Sequence, residues 1–236
     1  MISVIRDFEE RVLEINLYID FVNKSQEVGA SLHLPSRRKE TEQLHTIDGD
    51  LTAILKANIF LILYNLIESS IREGVLSIYE EIQDNQCSYS DIRDDIKKLW
   101  TRYKFKSSFD MNASWESYYR RVEEITNAVV TESVISMDRN AIPTSGNLCA
   151  NQVRSICDMH GIKTNVHRNA RGGISLADIK DQRNSLAHGH LSFSECGRQF
   201  DITQIDVFKK ETVIFVRGIL KNMEEYVNNK EYLVQI

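Results

Sequence analysis

The chain has 236 residues, of which 42% are hydrophobic and 27% are charged, as is typical of a soluble globular protein with a sizeable core. Its net charge of −5 excludes a protein that binds nucleic acid through general basicity, so such binding would require a local basic patch. Only 2 prolines and 10 glycines provide turns, which favours long helices over many short strands.

The first part of the chain is predicted to form two long helices. Apolar residues recur at helical spacing over residues 2–28, which predicts one amphipathic helix. The polar stretch 29–47, with its basic cluster at 37–39, predicts a loop. A second helix is predicted over 49–85, and its middle is apolar on all sides, as expected of a central, buried helix.

The apolar stretch inside this central helix raises the question whether the helix could cross a membrane. Residues 59–64 are continuously apolar, but Asn58, Asn65 and Glu68 flank them. A spanning helix needs about twenty apolar residues. The stretch is therefore interpreted as too short and too polar to cross a membrane.

Further helices are predicted in the middle of the chain. One follows Ser88, and another covers 114–132. After a break near Pro143, a short helix over 147–160 is predicted to end at Gly161, a residue suited to a helix C-terminus.

The remainder begins with a basic loop over 163–173. Ser175 is predicted to cap the next helix, which ends at residues 188–189. Residues 191–202 predict a small β-hairpin, and a last amphipathic helix is predicted over 203–229.

These elements predict an all-α fold with long N-terminal helices. We expect one domain over residues 1–236, with N-terminal helices in 1–140 and a motif-bearing part in 145–236. Four scattered cysteines form no CxxC pair, and the opening residues soon become charged, unlike a secretory signal. Reduced thiols and a cytoplasmic location are therefore expected.

The most informative run is Asp-Gln-Arg-Asn-Ser-Leu-Ala-His-Gly at residues 181–189. On a helical wheel, Arg183 interrupts an apolar stripe that includes Ile179 and Leu186. A charged group there needs a partner or a function. Arginine can hold a phosphate through two charge-assisted contacts, and His188 can transfer a proton near neutral pH.

Helix geometry limits how these two side chains can cooperate. In a regular helix, Arg183 and His188 point about 140° apart. They converge only if the last turn loosens or if a second copy of the helix faces the first. The alternative is structural: Arg183 pairs with a core carboxylate, and His188 caps the helix.

The run Arg183-Asn-Ser-Leu-Ala-His188 resembles the signature of HEPN domains, which carry an arginine and a histidine separated by four to six residues, the first usually polar. The preceding short helix over 148–161, the lead-in over 176–184 and the opening helix over 2–26 are also similar to that family. The resemblance implies an all-helical bundle, usually a homodimer, that often acts as a metal-independent endoribonuclease without a cofactor.

Carried over by residue, the resemblance implies that Arg183 and His188 are catalytic and that Asn184 assists them. Cleavage would leave a 2′,3′-cyclic phosphate and a 5′-hydroxyl. The resemblance also implies a toxin or defence setting, with a cognate antitoxin or a neighbouring defence protein as a partner. One subgroup has a tyrosine two residues after the histidine, where this chain has His190, so control by modification of that tyrosine is not expected. The alternative is a non-catalytic helical module that binds RNA or protein.

Two residues of the central helix are candidate supports for the site. Family members often place a polar or acidic residue on this helix facing the Arg–His pair, so Glu68 could orient Arg183, with Asn65 on the same side. The alternative for Glu68 is a local pair with Arg72, four residues on.

Lys163, Arg168 and Arg171 precede the motif and could hold flanking phosphates. The alternative is a solvated loop, and the cluster at 37–39 has the same two interpretations. No metal site is predicted, because the spacing of the cysteines and histidines over 149–167 fits no standard zinc pattern.

Overall fold

The computed structural model of the chain describes residues 1–34, 43–106, 114–144 and 147–234. Within those ranges, the fold consists of helices and one two-stranded sheet, so the all-α prediction is confirmed. The basic cluster at 37–39 lies outside the described residues. The helices are α1 (Ile2–Ser25), α2 (Gly49–Asp84), α3 (Asp94–Lys106), α4 (Trp115–Val130), α5 (Ala150–His160), α6 (Ser175–Ala187), α7 (Phe193–Arg198) and α8 (Ile202–Asn228).

The chain divides into two compact units, each assembled from separate segments. The first unit comprises Met1–Arg6, Glu68–His167 and Val216–Ile236, and the second comprises Asp7–Ile67 and Arg168–Phe215. Helices α2 and α8 therefore contribute one part to each unit. The organisation as a single domain stays a prediction.

In the first unit, α2 and α8 pack closely at Gly74. A Cβ atom added to Gly74 would lie 2.6 Å from Sδ of Met223 and 3.2 Å from a methyl group of Leu220. A glycine costs about 1 kcal/mol in a helix interior relative to alanine. Here its missing side chain allows the two helices to approach.

His160, the last residue of α5, is a buried polar centre of the same unit. Its imidazole lies 2.8 Å from the Tyr79 hydroxyl and 2.6 Å from the carbonyl oxygen of Ile156. The Tyr226 hydroxyl donates to the His160 carbonyl at 2.8 Å. Burial lowers the pKa of His160 to about 4, so the ring is neutral at pH 7. Gly161 then ends the helix with φ of 73°, as the sequence predicts.

The core of the second unit forms around one face of α1 and the first half of α2. From Phe8 onwards, every third or fourth residue of α1 is buried, which confirms the predicted amphipathic helix. The Phe60 ring packs against the rings of Phe200 and Phe208, with centroids 4.9 and 5.9 Å away. Gly197 of α7 lies against the backbone of Ala53, where any side chain would collide.

Two predictions of local structure are wrong. The stretch predicted as a loop over 29–47 contains an antiparallel pair, β1 (Ser31–Leu34) and β2 (Gln43–Thr46). The predicted hairpin over 191–202 is instead helix α7. A capping box begins that helix: the Ser192 side chain accepts from the Glu195 amide, and the Glu195 carboxylate accepts from the Ser192 amide.

Among the described residues, α2 is the one helix that is long and apolar enough to cross a membrane, judged by length and composition. Its qualifying window has 18 residues, which is longer than the stretch recognised in the sequence. A core helix of a soluble protein meets the same test, and 44% of that window is buried inside the protein. The helix is therefore weak grounds for a membrane protein.

Candidate active site

Helix α6 carries the Arg–His run and is fixed by its apolar face. Leu176, Ile179 and Leu186 are buried, as the predicted stripe requires. Arg183 lies among them in sequence but is only half-buried. The packing of α6 therefore holds the base of the Arg183 side chain while part of it reaches solvent.

The start of α6 differs from the prediction. The N-cap position is Ile174, and Ser175 is the first helical residue rather than the cap. The Ser175 hydroxyl donates to the buried carboxylate of Glu211 at 2.5 Å, and the Arg171 guanidinium lies 3.3 Å from the other oxygen of that carboxylate. A buried carboxylate needs such hydrogen-bond donors. The Ser175 hydroxyl therefore binds Glu211 instead of capping the N-terminus of α6.

The end of α6 is set by a Schellman motif, as its glycine predicts. Gly189 has φ of 69°, and the His190 amide donates to the Ser185 carbonyl at 2.9 Å. The Gly189 amide donates to the Leu186 carbonyl at 3.2 Å. His188 keeps near-helical angles (φ −91°, ψ 0°), so the helix does not loosen before His188.

Arg183 is held by an aromatic ring and an amide. Its guanidinium carbon lies 4.3 Å from the ring centroid of Tyr64, and its Nη1 donates to the Asn184 side-chain oxygen at 2.8 Å. The Tyr64 ring is 2% exposed, and both residues belong to the second unit. A desolvated ring face strengthens its attraction for a cation. These two contacts thus hold the guanidinium in a half-exposed position.

His188 lies at the exposed end of α6. Its ring is 5.7 Å from the ring of His190, and the imidazole makes no hydrogen bond to another described residue. Its backbone amide donates to the carbonyl of Asn184 at 3.0 Å. The ring nitrogens of His188 are therefore accessible to a ligand or to solvent for proton transfer.

The predicted supporting residues lie on α2. The Glu68 carboxylate pairs with the Arg72 guanidinium at 2.8 Å, one turn along the same helix. Glu68 belongs to the first unit, and Asn65 is exposed in the second. The local pair that the sequence offered as the alternative is thus present, and the role of Glu68 and Asn65 at the site stays a prediction.

The three basic residues before α6 differ in their contacts. Arg171 is bound to Glu211, and Lys163 lies 3.6 Å from Glu231 in the first unit. Arg168 is exposed and makes no ion pair with another described residue. Of the three side chains, that of Arg168 is therefore the most accessible for binding a phosphate.

Two residues of this site escaped the sequence analysis. Tyr64 lies within the apolar run of α2, and in the sequence nothing distinguishes it there from any other core residue. Glu211 stands in an amphipathic helix 36 residues from Ser175, and no local pattern links them. The described residues also contain no group of three or more histidine, cysteine or acidic side chains arranged for a metal ion.

The comparison with protein families agrees with this architecture. A family model for a HEPN-like domain matches residues 3–232, which is nearly the whole chain. No curated protein and no solved structure matches the chain significantly. Because the match extends from α1 to beyond α8 and includes the Arg–His run, the chain belongs to the HEPN family.

Proposed function

We propose that this HEPN protein is a metal-independent endoribonuclease that acts as a cytoplasmic homodimer in a bacterial defence or toxin–antitoxin setting. One observation carries the proposal: the Arg183 guanidinium is held between Tyr64 and Asn184, while the His188 ring is exposed at the end of the same helix. A fixed cation and an accessible imidazole are the two groups that cleavage of a ribose–phosphate chain requires.

The reaction follows from these groups. The ribose 2′-oxygen attacks the adjacent phosphorus, so an O2′–P bond forms and the P–O5′ bond breaks. His188 accepts the proton of the 2′-hydroxyl, and an imidazolium supplies a proton to the departing O5′. Arg183 donates to the non-bridging phosphate oxygens as their charge increases. The products are a 2′,3′-cyclic phosphate and a 5′-hydroxyl.

A homodimer resolves the geometry of the run. Because α6 extends to Ala187 and His188 keeps near-helical angles, the Arg183 and His188 positions of one copy point about 140° apart. Two α6 helices related by a two-fold axis would bring both arginines and both histidines to one phosphate. One His188 then acts as the base while the other acts as the acid. Dimers of this symmetry are the commonest oligomers.

Asn184 has a positioning role in this scheme. Its side-chain oxygen accepts from Arg183, and its backbone carbonyl accepts from the His188 amide. It therefore contacts both catalytic residues from one position. Arg168, exposed before α6, is proposed to hold a flanking phosphate.

The test is cleavage of total RNA and transfer RNA in EDTA by the native chain, Arg183→Ala and His188→Ala. The native chain should leave cyclic phosphate ends, and both variants should lose at least a hundredfold in rate, as expected for removal of a catalytic group. His190→Ala is the matched control, because it removes the neighbouring exposed imidazole. Equal cleavage by all four proteins would refute the proposal. RNA binding without cleavage by a folded dimer would favour the non-catalytic module.

A further inference from the structure

Helix α3 is strongly basic in an acidic protein. It carries five cations and two acids, a balance of +3, whereas the whole chain has a net charge of −5. The cations are Lys97, Lys98, Arg102, Lys104 and Lys106. Such a local concentration of positive charge attracts an anionic ligand even when the net charge does not.

A pocket of about 720 Å³ opens beside this helix in the first unit, and Lys97, Lys98 and Arg102 line it together with the rings of Tyr89 and Phe105. Its volume lies within the range of small-molecule sites, roughly 300–1,000 Å³. Cations and aromatic rings in one pocket match a ligand that has both a phosphate and a planar base.

Two of the lining cations are available to a phosphate. Lys98 and Arg102 are four residues apart on α3, both are exposed, and neither makes an ion pair with another described residue. Residues at this spacing are neighbours on a helix surface. By contrast, the Lys97 ammonium lies 3.5 Å from Asp94 and 5.5 Å from the Tyr89 ring centroid. Asp94, the acid of the pocket, is therefore already partnered.

The aromatic wall is supported from behind. The Tyr89 ring packs on the buried Trp100 ring, with centroids 5.5 Å apart. Phe105 is half-buried, so part of its side chain remains accessible. Such supported rings provide stacking surfaces for nucleobases.

We propose that this pocket binds a nucleotide, with its base against Tyr89 and Phe105 and its phosphate between Lys98 and Arg102. The site does not depend on cleavage by Arg183 and His188. The nucleotide is either free or part of a single-stranded RNA, since both present the same base and phosphate.

Two probes separate these sources: adenosine 5′-monophosphate, measured by calorimetry, and a fluorescent 2′-O-methyl oligoadenylate of eight residues, measured by anisotropy. The 2′-O-methyl groups prevent cleavage by 2′-hydroxyl attack, so binding is measured on the native chain whether or not it is a nuclease. Binding of both probes assigns a nucleotide site, and binding of the oligonucleotide alone assigns an RNA site. Failure of both to bind the folded protein overturns the proposal.

Variants then locate the binding. Lys98→Gln/Arg102→Gln should lower the affinity for the probe at least tenfold. For the oligonucleotide, it should also reduce the slope of log K against log salt by about 1.4. Phe105→Leu should weaken probe binding about tenfold through lost stacking. The control, Arg120→Gln/Lys221→Gln, removes two exposed cations of the same unit outside the pocket and should leave the affinity within about twofold. Equal losses in the two double variants would overturn the pocket as the site.

Discussion

The guanidinium of Arg183 lies over the ring of Tyr64, with its central carbon 4.3 Å from the ring centroid. Arginine has a flexible side chain, and holding it in one position costs conformational entropy. Because the buried Tyr64 ring is fixed in α2, it orders the Arg183 side chain before any substrate binds. Tyr64 thus acts through Arg183 as a positioning residue.

Removing the aromatic ring of Tyr64 should leave Arg183 in place but less well positioned for cleavage. We expect Tyr64→Leu to lower the rate of RNA cleavage about tenfold, because a desolvated cation–π contact contributes about 1–2 kcal/mol. Tyr64→Phe keeps the ring and should stay within about twofold of the native rate. Single-turnover kinetics would distinguish the two variants, with thermal melts to show that both fold. If Leu and Phe give the same rate, the stack does not position Arg183.

The buried carboxylate of Glu211 should be important for stability. Glu211→Ala leaves the buried Ser175 hydroxyl without its acceptor and should lower the free energy of unfolding by about 2–3 kcal/mol. The exposed Glu225 on the same helix provides the control, and Glu225→Ala should change stability by less than about 0.5 kcal/mol. Urea denaturation measures both values. Similar losses in the two variants would mean that the Ser175–Glu211 contact contributes little.

Acid should destabilise the fold through His160. Its pKa is lowered to about 4 in the fold from 6.5, so the neutral form is favoured in the folded state. The stability that the neutral His160 contributes to the fold is present in full above pH 6.5. It is lost as the pH falls from 6.5 towards 4, which lowers the free energy of unfolding by about 3 kcal/mol in total.

Carboxylates also respond to acid, so the informative quantity is a difference between variants. His160→Gln cannot titrate and should be less stable than the native chain at pH 7. The gap in unfolding free energy between the two proteins should narrow as the pH falls to about 4.5. Denaturant titrations at several pH values measure this gap. A gap that stays constant would exclude His160 as the acid-sensitive group.

The left-handed Gly189 fixes the end of α6 through backbone conformation alone. A Cβ atom there would meet nothing within 4 Å, so any cost of substitution arises from its φ of 69°. Gly189→Ala should cost about 1–2 kcal/mol, and Gly189→Asn less, since asparagine tolerates this conformation better. Thermal denaturation compares the two. Equal stability of the alanine variant and the native chain would mean that the motif does not require its glycine.

Local signals predicted most helices. Apolar spacing predicted α1, and glycines predicted the ends of α5 and α6, because these features act within a few residues. The Ser192–Glu195 capping box was present in the sequence, yet the turn-like residues over 191–202 were interpreted as a hairpin. The signal that begins α7 is therefore local, and it outweighs the turn-like composition of this stretch.

The candidate site was predicted only in part, for a physical reason. Arg183, Asn184 and His188 share one helix, so their relation follows from helix geometry. Tyr64 contacts Arg183 across 119 residues of sequence, the difference between positions 183 and 64, and no periodicity reports such a contact. Ser175 does not cap α6 as predicted, because its hydroxyl donates to Glu211, a buried partner 36 residues away that no local pattern indicates.

The interleaving of the two units restricts how this gene can be divided. The second unit needs Asp7–Ile67 and Arg168–Phe215 together, so a fragment that ends after residue 67 would encode Tyr64 without Arg183. No single cut separates the two units from each other, because their segments alternate along the chain. A protein split at an exposed loop within residues 68–167 should therefore fold only when both fragments are supplied together, since each fragment then holds part of both units.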